Sequence, residues 1–178
     1  MSLKQPSILT ASCRCGAVAL EATGAPIAHT ACYCASCQKA GRRIEQLPDA
    51  PRVLDADGGT DFLLYRKDRV RCLRGGERLE AVRLKPDSPT RRMVATCCNS
   101  AMFLDFTKGH WLTLYRARLP EDVPPLDMRV MTADRPEGVV LPDDAPNYAG
   151  HAGRFMWKLL SAWAAMGFRS PKVAGLPR

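Results

Sequence analysis

The sequence lacks any long run of uncharged apolar residues, so no segment approaches the roughly 20 residues of a membrane-spanning helix. Its first residues, MSLKQPSILTASC, also lack the apolar stretch of a secretory signal peptide. With 46% apolar and 25% charged residues, the composition excludes wholesale disorder, collagen and coiled coil. The sequence therefore predicts a globular cytoplasmic protein, and its 178 residues fit one domain with an appendage.

Acidic residues are outnumbered by basic ones, 18 to 26, which gives a net charge of +8. This charge permits nucleic acid, an anionic membrane or acidic metabolites as partners and does not choose between them. Aromatic residues are also scarce, and only Phe62 and Tyr65 lie near the basic residues of segment 66–74. A base-stacking platform is weakly supported, so we expect no nucleic-acid binding.

Short alternating segments dominate the first two thirds of the chain. Strand-like runs occupy residues 12–23, 61–66, 69–73, 79–84, 92–96, 102–106 and 110–119, with glycine- and proline-rich turns among them. Prolines, aspartates and glycines between Gln46 and Gly59 argue against any regular element there. The pattern predicts a mainly β domain of antiparallel sheets over residues 1–119.

The amino-acid composition of the last third of the chain changes twice, at about residues 120 and 150. Residues 120–149 hold six prolines, seven acidic residues and two arginines, which predicts an extended connecting segment. Residues 150–178 carry no acidic residue and place Phe155, Leu159 and Trp163 at helical spacing, which predicts an amphipathic C-terminal helix. We expect it to pack on the β domain or on a second subunit as a homodimer; the alternative is an anionic membrane surface.

Eight cysteines without a secretory signal indicate metal binding or catalysis rather than disulfides. Cys72 is isolated in a strand and is expected to be buried, whereas the other seven are clustered at spacings that let neighbouring sulfurs reach one ion. A closed structural zinc takes four ligands and an open catalytic zinc takes three. One hypothesis therefore assigns a four-cysteine site to Cys13, Cys15, Cys97 and Cys98, and a three-cysteine site to Cys32, Cys34 and Cys37.

These motifs resemble those of the glutathione-dependent formaldehyde-activating (Gfa-like, CENP-V-type) family. The likeness is carried by CRCG, by CYCASC with basic residues after it, by a YR-containing strand and by Cys98-Asn99-Ser100, and it spans about residues 12–106. It implies an Mss4-like fold of layered antiparallel β-sheets around two zinc sites, one structural with four cysteines and one catalytic with three. It also implies carbon-sulfur lyase activity.

The third motif departs from the family pattern Cys-x-x-Cys-Gly-Thr/Ser, because Ala95 occupies the position of the first cysteine. Cys97 could supply the lost ligand if the backbone turns, although adjacent sulfurs face opposite ways on a regular strand. The other alignment puts Cys97 first and Ser100 in place of the second cysteine, and a neutral hydroxyl is a poor zinc ligand. Asn99 could replace the glycine, since asparagine tolerates the left-handed conformation.

The resemblance further implies that Cys32, Cys34 and Cys37 form the catalytic site. Zinc bound by three thiolates carries one net negative charge and suits a thiolate better than Lewis-acid work. Glutathione or a similar thiol would add there to formaldehyde, or the S-hydroxymethyl adduct would be cleaved. Lys39, Arg42 and Arg43 could receive the carboxylates of such a peptide. The alternative is a non-catalytic, zinc-stabilised module for protein interaction or nucleic-acid binding.

Overall fold

The computed structural model describes residues 7–176, and within them the chain forms ten β-strands and two α-helices. The strands are β1 (Ile8–Ser12), β2 (Ala19–Thr23), β3 (Ala28–Cys32), β4 (Thr60–Arg66), β5 (Val70–Arg74), β6 (Leu79–Val82), β7 (Thr90–Ala95), β8 (Ser100–Phe106), β9 (Trp111–Tyr115) and β10 (Met128–Val130). The helices are α1 (Ala35–Glu45) and α2 (Gly153–Ala164). No helix in this part of the chain is long and apolar enough to span a bilayer.

The strands form two sheets. Strands β1, β2 and β5 make a small antiparallel sheet in the order β1-β2-β5, and the other seven make a large sheet in the order β10-β3-β4-β9-β8-β7-β6. Every pairing in the large sheet is antiparallel except that of β10 with β3. The prediction of a mainly β fold of layered sheets with a C-terminal helix is confirmed.

Apolar side chains fill both faces of the large sheet. Leu63 and Tyr65 of β4 face the small sheet and belong to a core with Leu20 of β2. Their neighbours Phe62 and Leu64 point the other way and belong to a second core with Ile44 of α1 and Leu159 of α2. Because side chains alternate along a strand, the unbroken apolar run of β4 is explained by cover on both faces.

The register of the large sheet brings several chain segments to one of its ends. Cys32 at the end of β3 pairs with Thr60 at the start of β4. Phe62 of β4 lies opposite Tyr115 at the end of β9, and Ala95 at the end of β7 lies opposite Ser100 at the start of β8. Both clusters of cysteines therefore lie at this same end.

Two elements of the structure differ from the sequence-based expectation. Residues 35–45 form a regular helix, α1, which was not predicted from the sequence, and its buried Cys37, Ala40 and Ile44 follow helical spacing. The segment 120–149 contributes β10, which pairs parallel with β3 and extends the large sheet beyond Leu119. The acidic segment therefore flanks the strand that ends at Cys32.

Candidate metal centre

Four sulfurs converge from two distant parts of the chain. Cys13 and Cys15 lie in the turn between β1 and β2, and Cys97 and Cys98 lie in the turn between β7 and β8. The Sγ atom of Cys97 lies 3.3 Å from that of Cys15 and 3.8 Å from that of Cys13, and all four sulfurs lie within 4.8 Å of one another. Tetrahedral zinc with Zn–S bonds of ~2.3 Å separates its sulfurs by ~3.8 Å, so the donor set fits zinc.

Adjacent cysteines share this cluster because the backbone leaves the strand after Ala95. The N–H of Cys98 donates to the carbonyl of Ala95 at 3.2 Å, and Asn99 adopts the left-handed conformation with φ of +51°. This turn places the Sγ atoms of Cys97 and Cys98 4.0 Å apart, on the same side. Ser100 stands beside the cluster, with its hydroxyl 3.1 Å from the sulfur of Cys98. The geometry thus favours Cys97 as the replacement for the missing cysteine at position 95.

Three further sulfurs meet at the N-terminus of α1. Cys32 ends β3, Cys34 is the N-cap of α1 and Cys37 lies in its first turn. Their Sγ atoms lie within 4.8 Å of one another. The sulfur of Cys34 accepts from the backbone N–H of Cys37 at 3.4 Å. The positive end of the helix dipole favours thiolates at this place, as metal binding requires.

Hydrogen bonds among these thiols shift their pKa values in opposite directions. The pKa of Cys34 lies well below its ordinary value because its sulfur accepts hydrogen bonds from the thiols of Cys32 and Cys37. The hydrogen bond that Cys32 gives to Cys34 raises the pKa of Cys32 to about 12. In the four-cysteine cluster, burial raises the pKa of Cys98, but hydrogen bonds from the Ser100 hydroxyl and from Cys15 and Cys13 together outweigh burial and lower the pKa to about 6. Each cluster thus contains one sulfur that is stabilised as the thiolate.

A buried cation stands next to the three-cysteine cluster. Arg92 of β7 is only 3% exposed, and its guanidinium donates to the carbonyl of Ser36 in α1 at 3.3 Å. It forms no salt bridge with a carboxylate among residues 7–176. Tyr115 lies close by, since burial and the charge of Cys37 both raise its pKa while Arg92 lowers it. The single positive charge of Arg92 can therefore offset the one net negative charge of a zinc ion bound by three thiolates.

The acidic segment 120–149 stabilises the first turn of α1 through hydrogen bonds. A carboxylate oxygen of Asp134 accepts from the backbone N–H of Ala35 at 3.1 Å. The side-chain amide of Gln38 donates to the carbonyls of both Tyr33 and Asp134 at 2.6 Å. Two of the three cysteines are thus held by a segment some hundred residues away in sequence.

Comparison with known proteins agrees with the cysteine geometry. The sequence profile of the family described as glutathione-dependent formaldehyde-activating enzyme matches residues 8–44. That segment runs from β1 to α1 and carries five of the seven clustered cysteines. The N-terminal, cysteine-bearing part of the chain is therefore similar to this Gfa-like family. No curated protein matches the chain.

Among solved structures, this chain is similar to a crystal structure of a Rhodobacter sphaeroides protein determined as a structural genomics target. The two share 18% sequence identity with a TM-score of 0.45. The alignment covers 65% of this chain and 91% of the other chain.

The basic residues predicted to bind substrate lie on α1 outside the three-cysteine cluster. Lys39, Arg42 and Arg43 are exposed, and the two arginines occupy the last turn, at the opposite end of the helix from the cysteines. Arg43 donates to the carbonyl of Arg83 at 3.0 Å. His29 is not part of either cluster, because its ring nitrogens lie against Pro124 and Asp61. The structure thus brings all seven cysteines into two groups and leaves the predicted cations outside them.

A polar cavity of about 140 Å³ opens at the same end of the large sheet. Tyr115 lines it, together with the charged side chains of Arg52, Asp55, Asp61, Arg116 and Arg118. Burial, and then the neighbouring Asp61, raise the pKa of Asp55 to about 6. Sequence reasoning missed these residues and Arg92. The only sequence signal for Arg92 is its position two residues before Val94. Residues two apart share a face of a strand, and the apolar residues of β7 are buried.

Proposed function

We propose that this protein is a divergent Gfa-like member that binds two zinc ions and is a carbon-sulfur lyase acting on S-hydroxymethyl adducts of glutathione or a similar thiol. The observation that carries the proposal is the preassembly of four and of three sulfurs in a chain whose first two cysteine motifs lie in the segment that matches the family. Cys13, Cys15, Cys97 and Cys98 would hold a structural ion, and Cys32, Cys34 and Cys37 an ion with an open position. A reducing compartment such as the cytoplasm would keep these thiols available.

The proposed reaction joins a thiol to an aldehyde. The thiolate sulfur attacks the carbonyl carbon of formaldehyde, a carbon-sulfur bond forms, and the carbonyl electron pair moves to oxygen, which takes a proton from water. In the reverse direction the hydroxyl loses its proton, the carbon-sulfur bond breaks, and the electron pair returns to sulfur. A zinc ion at Cys32, Cys34 and Cys37 would supply a fourth position at which a substrate thiol binds as the thiolate.

The chain's own residues would prepare this site in three ways. The N-terminus of α1 and the guanidinium of Arg92 stabilise negative charge on sulfur. Asp134 and Gln38 hold the first turn of α1 and so fix the spacing of Cys34 and Cys37. We further propose that the arginines of the polar cavity, rather than Lys39, Arg42 and Arg43, receive the carboxylates of the thiol.

Exchange spectroscopy by NMR tests the activity. Glutathione and formaldehyde form the S-hydroxymethyl adduct spontaneously, and the metal-loaded protein should raise the exchange rate between free thiol and adduct above that background. Cys32→Ser should abolish the increase. Cys72→Ser is the matched control, because Cys72 lies outside both clusters, and it should leave the rate unchanged. A wild-type rate equal to background would exclude the lyase and leave a zinc-stabilised interaction module.

Cavity-directed variants test the carboxylate assignment separately. Replacing Arg52 by glutamine should raise KM for glutathione and leave KM for a thiol without carboxylates, such as 2-mercaptoethanol, unchanged. Arg43→Gln serves as its control on α1. An effect of Arg43→Gln with none from Arg52→Gln would return the role to the predicted residues of α1.

A further inference from the structure

Helix α2 covers the core with only part of its surface. Leu159 is buried in the core beside α1, and Phe155 packs against the same cluster. The side of α2 away from the core is also apolar: Trp157 is 68% exposed and Leu160 46%. Phe168, just after the helix, is 60% exposed. Exposed apolar side chains gathered on one element mark an interaction surface rather than ordinary surface variation.

The backbone after α2 holds one of these aromatics outward. Phe168 adopts φ of +57°, a conformation that a bulky side chain rarely takes, directly after Gly167 at +61°. Its backbone N–H donates to the carbonyl of Trp163 at 3.0 Å, and the two rings make an edge contact with centroids 5.3 Å apart. The chain thus accepts backbone strain in a turn that extends the exposed aromatic surface beyond the end of α2.

Basic side chains outnumber acidic ones in the same region. No acidic residue follows Asp144, and the segment carries Arg154 and Lys158 on α2 and Arg169 and Lys172 after it. Lys158 pairs with Asp127 at 2.9 Å, whereas Arg154 and Arg169 form no salt bridge among the residues that the structure describes. A shallow groove beside Lys158 is lined further by Arg66 and Arg69. The apolar surface therefore lies next to an electropositive one.

We propose that this face, formed by Trp157, Leu160, Trp163 and Phe168 with the flanking Arg154, docks on an anionic lipid surface. Helix α2 would lie in the plane of the headgroups, with its exposed apolar side chains at the acyl boundary and its cations at lipid phosphates. Tryptophan is enriched at membrane interfaces, where its ring meets both apolar and polar surroundings. The attachment is peripheral and independent of the proposed lyase activity.

Charge favours lipid over a second copy of this chain as the occupant. In a two-fold dimer through α2, each copy would present the same cations, and neither α2 nor the chain after it offers an acidic side chain to pair with them. An anionic bilayer supplies negative charge along the whole basic flank. Binding to lipid also requires no single partner geometry, which suits a surface made of exposed rings rather than a pocket.

Vesicle sedimentation tests the proposal on the full-length, metal-loaded protein. Vesicles of phosphatidylcholine with added phosphatidylglycerol should pellet the protein and shift its tryptophan emission to the blue, and added salt should weaken both effects. Trp157→Ser or Leu160→Ser should weaken binding about tenfold or more through lost apolar burial. Arg154→Gln should weaken it about fivefold. The matched control is Val140→Ser, because Val140 is 91% exposed and lies outside α2 and the segment after it.

Three results would overturn the proposal. The first is failure to pellet with anionic vesicles, and the second is equal binding to vesicles of phosphatidylcholine alone. The third is a stable dimer in sedimentation velocity that Trp157→Ser dissociates and that does not bind vesicles, which would assign this face to a second copy. Unchanged zinc content and circular dichroism of each variant would exclude misfolding as the cause of a lost interaction.

Discussion

Asn99 offers the sharpest test of how two adjacent cysteines serve one site. Its φ of +51° costs a residue with an ordinary side chain about 1 kcal/mol or more relative to glycine, and asparagine less. Its amide also donates to the carbonyl of Pro48 at 2.8 Å, a bond worth about 1 kcal/mol. In Asn99→Gly the lost hydrogen bond and the relieved strain should nearly cancel. Asn99→Ala loses the bond and gains strain, so it should cost about 2 kcal/mol.

Valine at position 99 should destabilise the turn more than alanine does, because a β-branched side chain strongly disfavours the left-handed region. We expect Asn99→Val to straighten the turn, separate the sulfurs of Cys97 and Cys98, and speed zinc release from the four-cysteine cluster. Urea unfolding measures the free energies, and transfer of zinc to a chromogenic chelator measures the release. Asn147→Val is the control, because Asn147 makes a similar bond to the carbonyl of Pro142 at 3.0 Å, outside both clusters. If Asn99→Val holds zinc as tightly as Asn99→Gly, the turn does not position the sulfurs and the reasoning is wrong.

Three further predictions concern the surroundings of the second cluster and α2. Arg92→Gln should weaken zinc binding to the three-cysteine cluster about tenfold and spare the other, as measured by chelator competition; equal loss from both would contradict it. Asp134→Ala should cost the first turn of α1 about 1 kcal/mol, seen as faster amide exchange there. Burial lowers the pKa of His110 below 6.5, so near that pH the native state binds fewer protons than the unfolded state. The free energy of unfolding should therefore fall as the pH drops below 6.5. His110→Phe should flatten that part of the pH profile, and an unchanged slope would show that His110 does not cause it.

Local patterns predict much of this fold. Alternating apolar residues located the strands from Thr60 to Tyr115 to within a few residues, because alternation reflects burial on a pleated sheet. The sequence did not predict helix α1, because Gly41 lies in its interior and glycine has a low helix propensity. In the structure Gly41 packs against Leu54, where a Cβ atom would lie 2.4 Å from a methyl carbon, so a packing need explains the residue.

The sequence also predicted only part of the candidate site. Spacing identified the seven clustered cysteines, because chelation imposes local distances that a sequence records. Arg92, Asp134 and Tyr115 reach the three-cysteine cluster only through strand pairing and a long connection, and register is not written in any local pattern. The assignment of Lys39, Arg42 and Arg43 to substrate used closeness in sequence and stays a prediction. The helical rise of ~1.5 Å per residue carries Arg42 and Arg43 to the end of α1 opposite the cysteines.

Metal stoichiometry tests the central claim most directly. Native mass spectrometry of anaerobically purified protein should show two zinc ions per chain. Cys32→Ser should retain the fold and one ion, and Cys13→Ser should lose the structural ion and unfold, because structural zinc contributes about 10 kcal/mol or more to small folds. A folded wild-type chain that binds no zinc would contradict the account. A chain that holds one ion, unaffected by Cys32→Ser, would remove the proposed catalytic site.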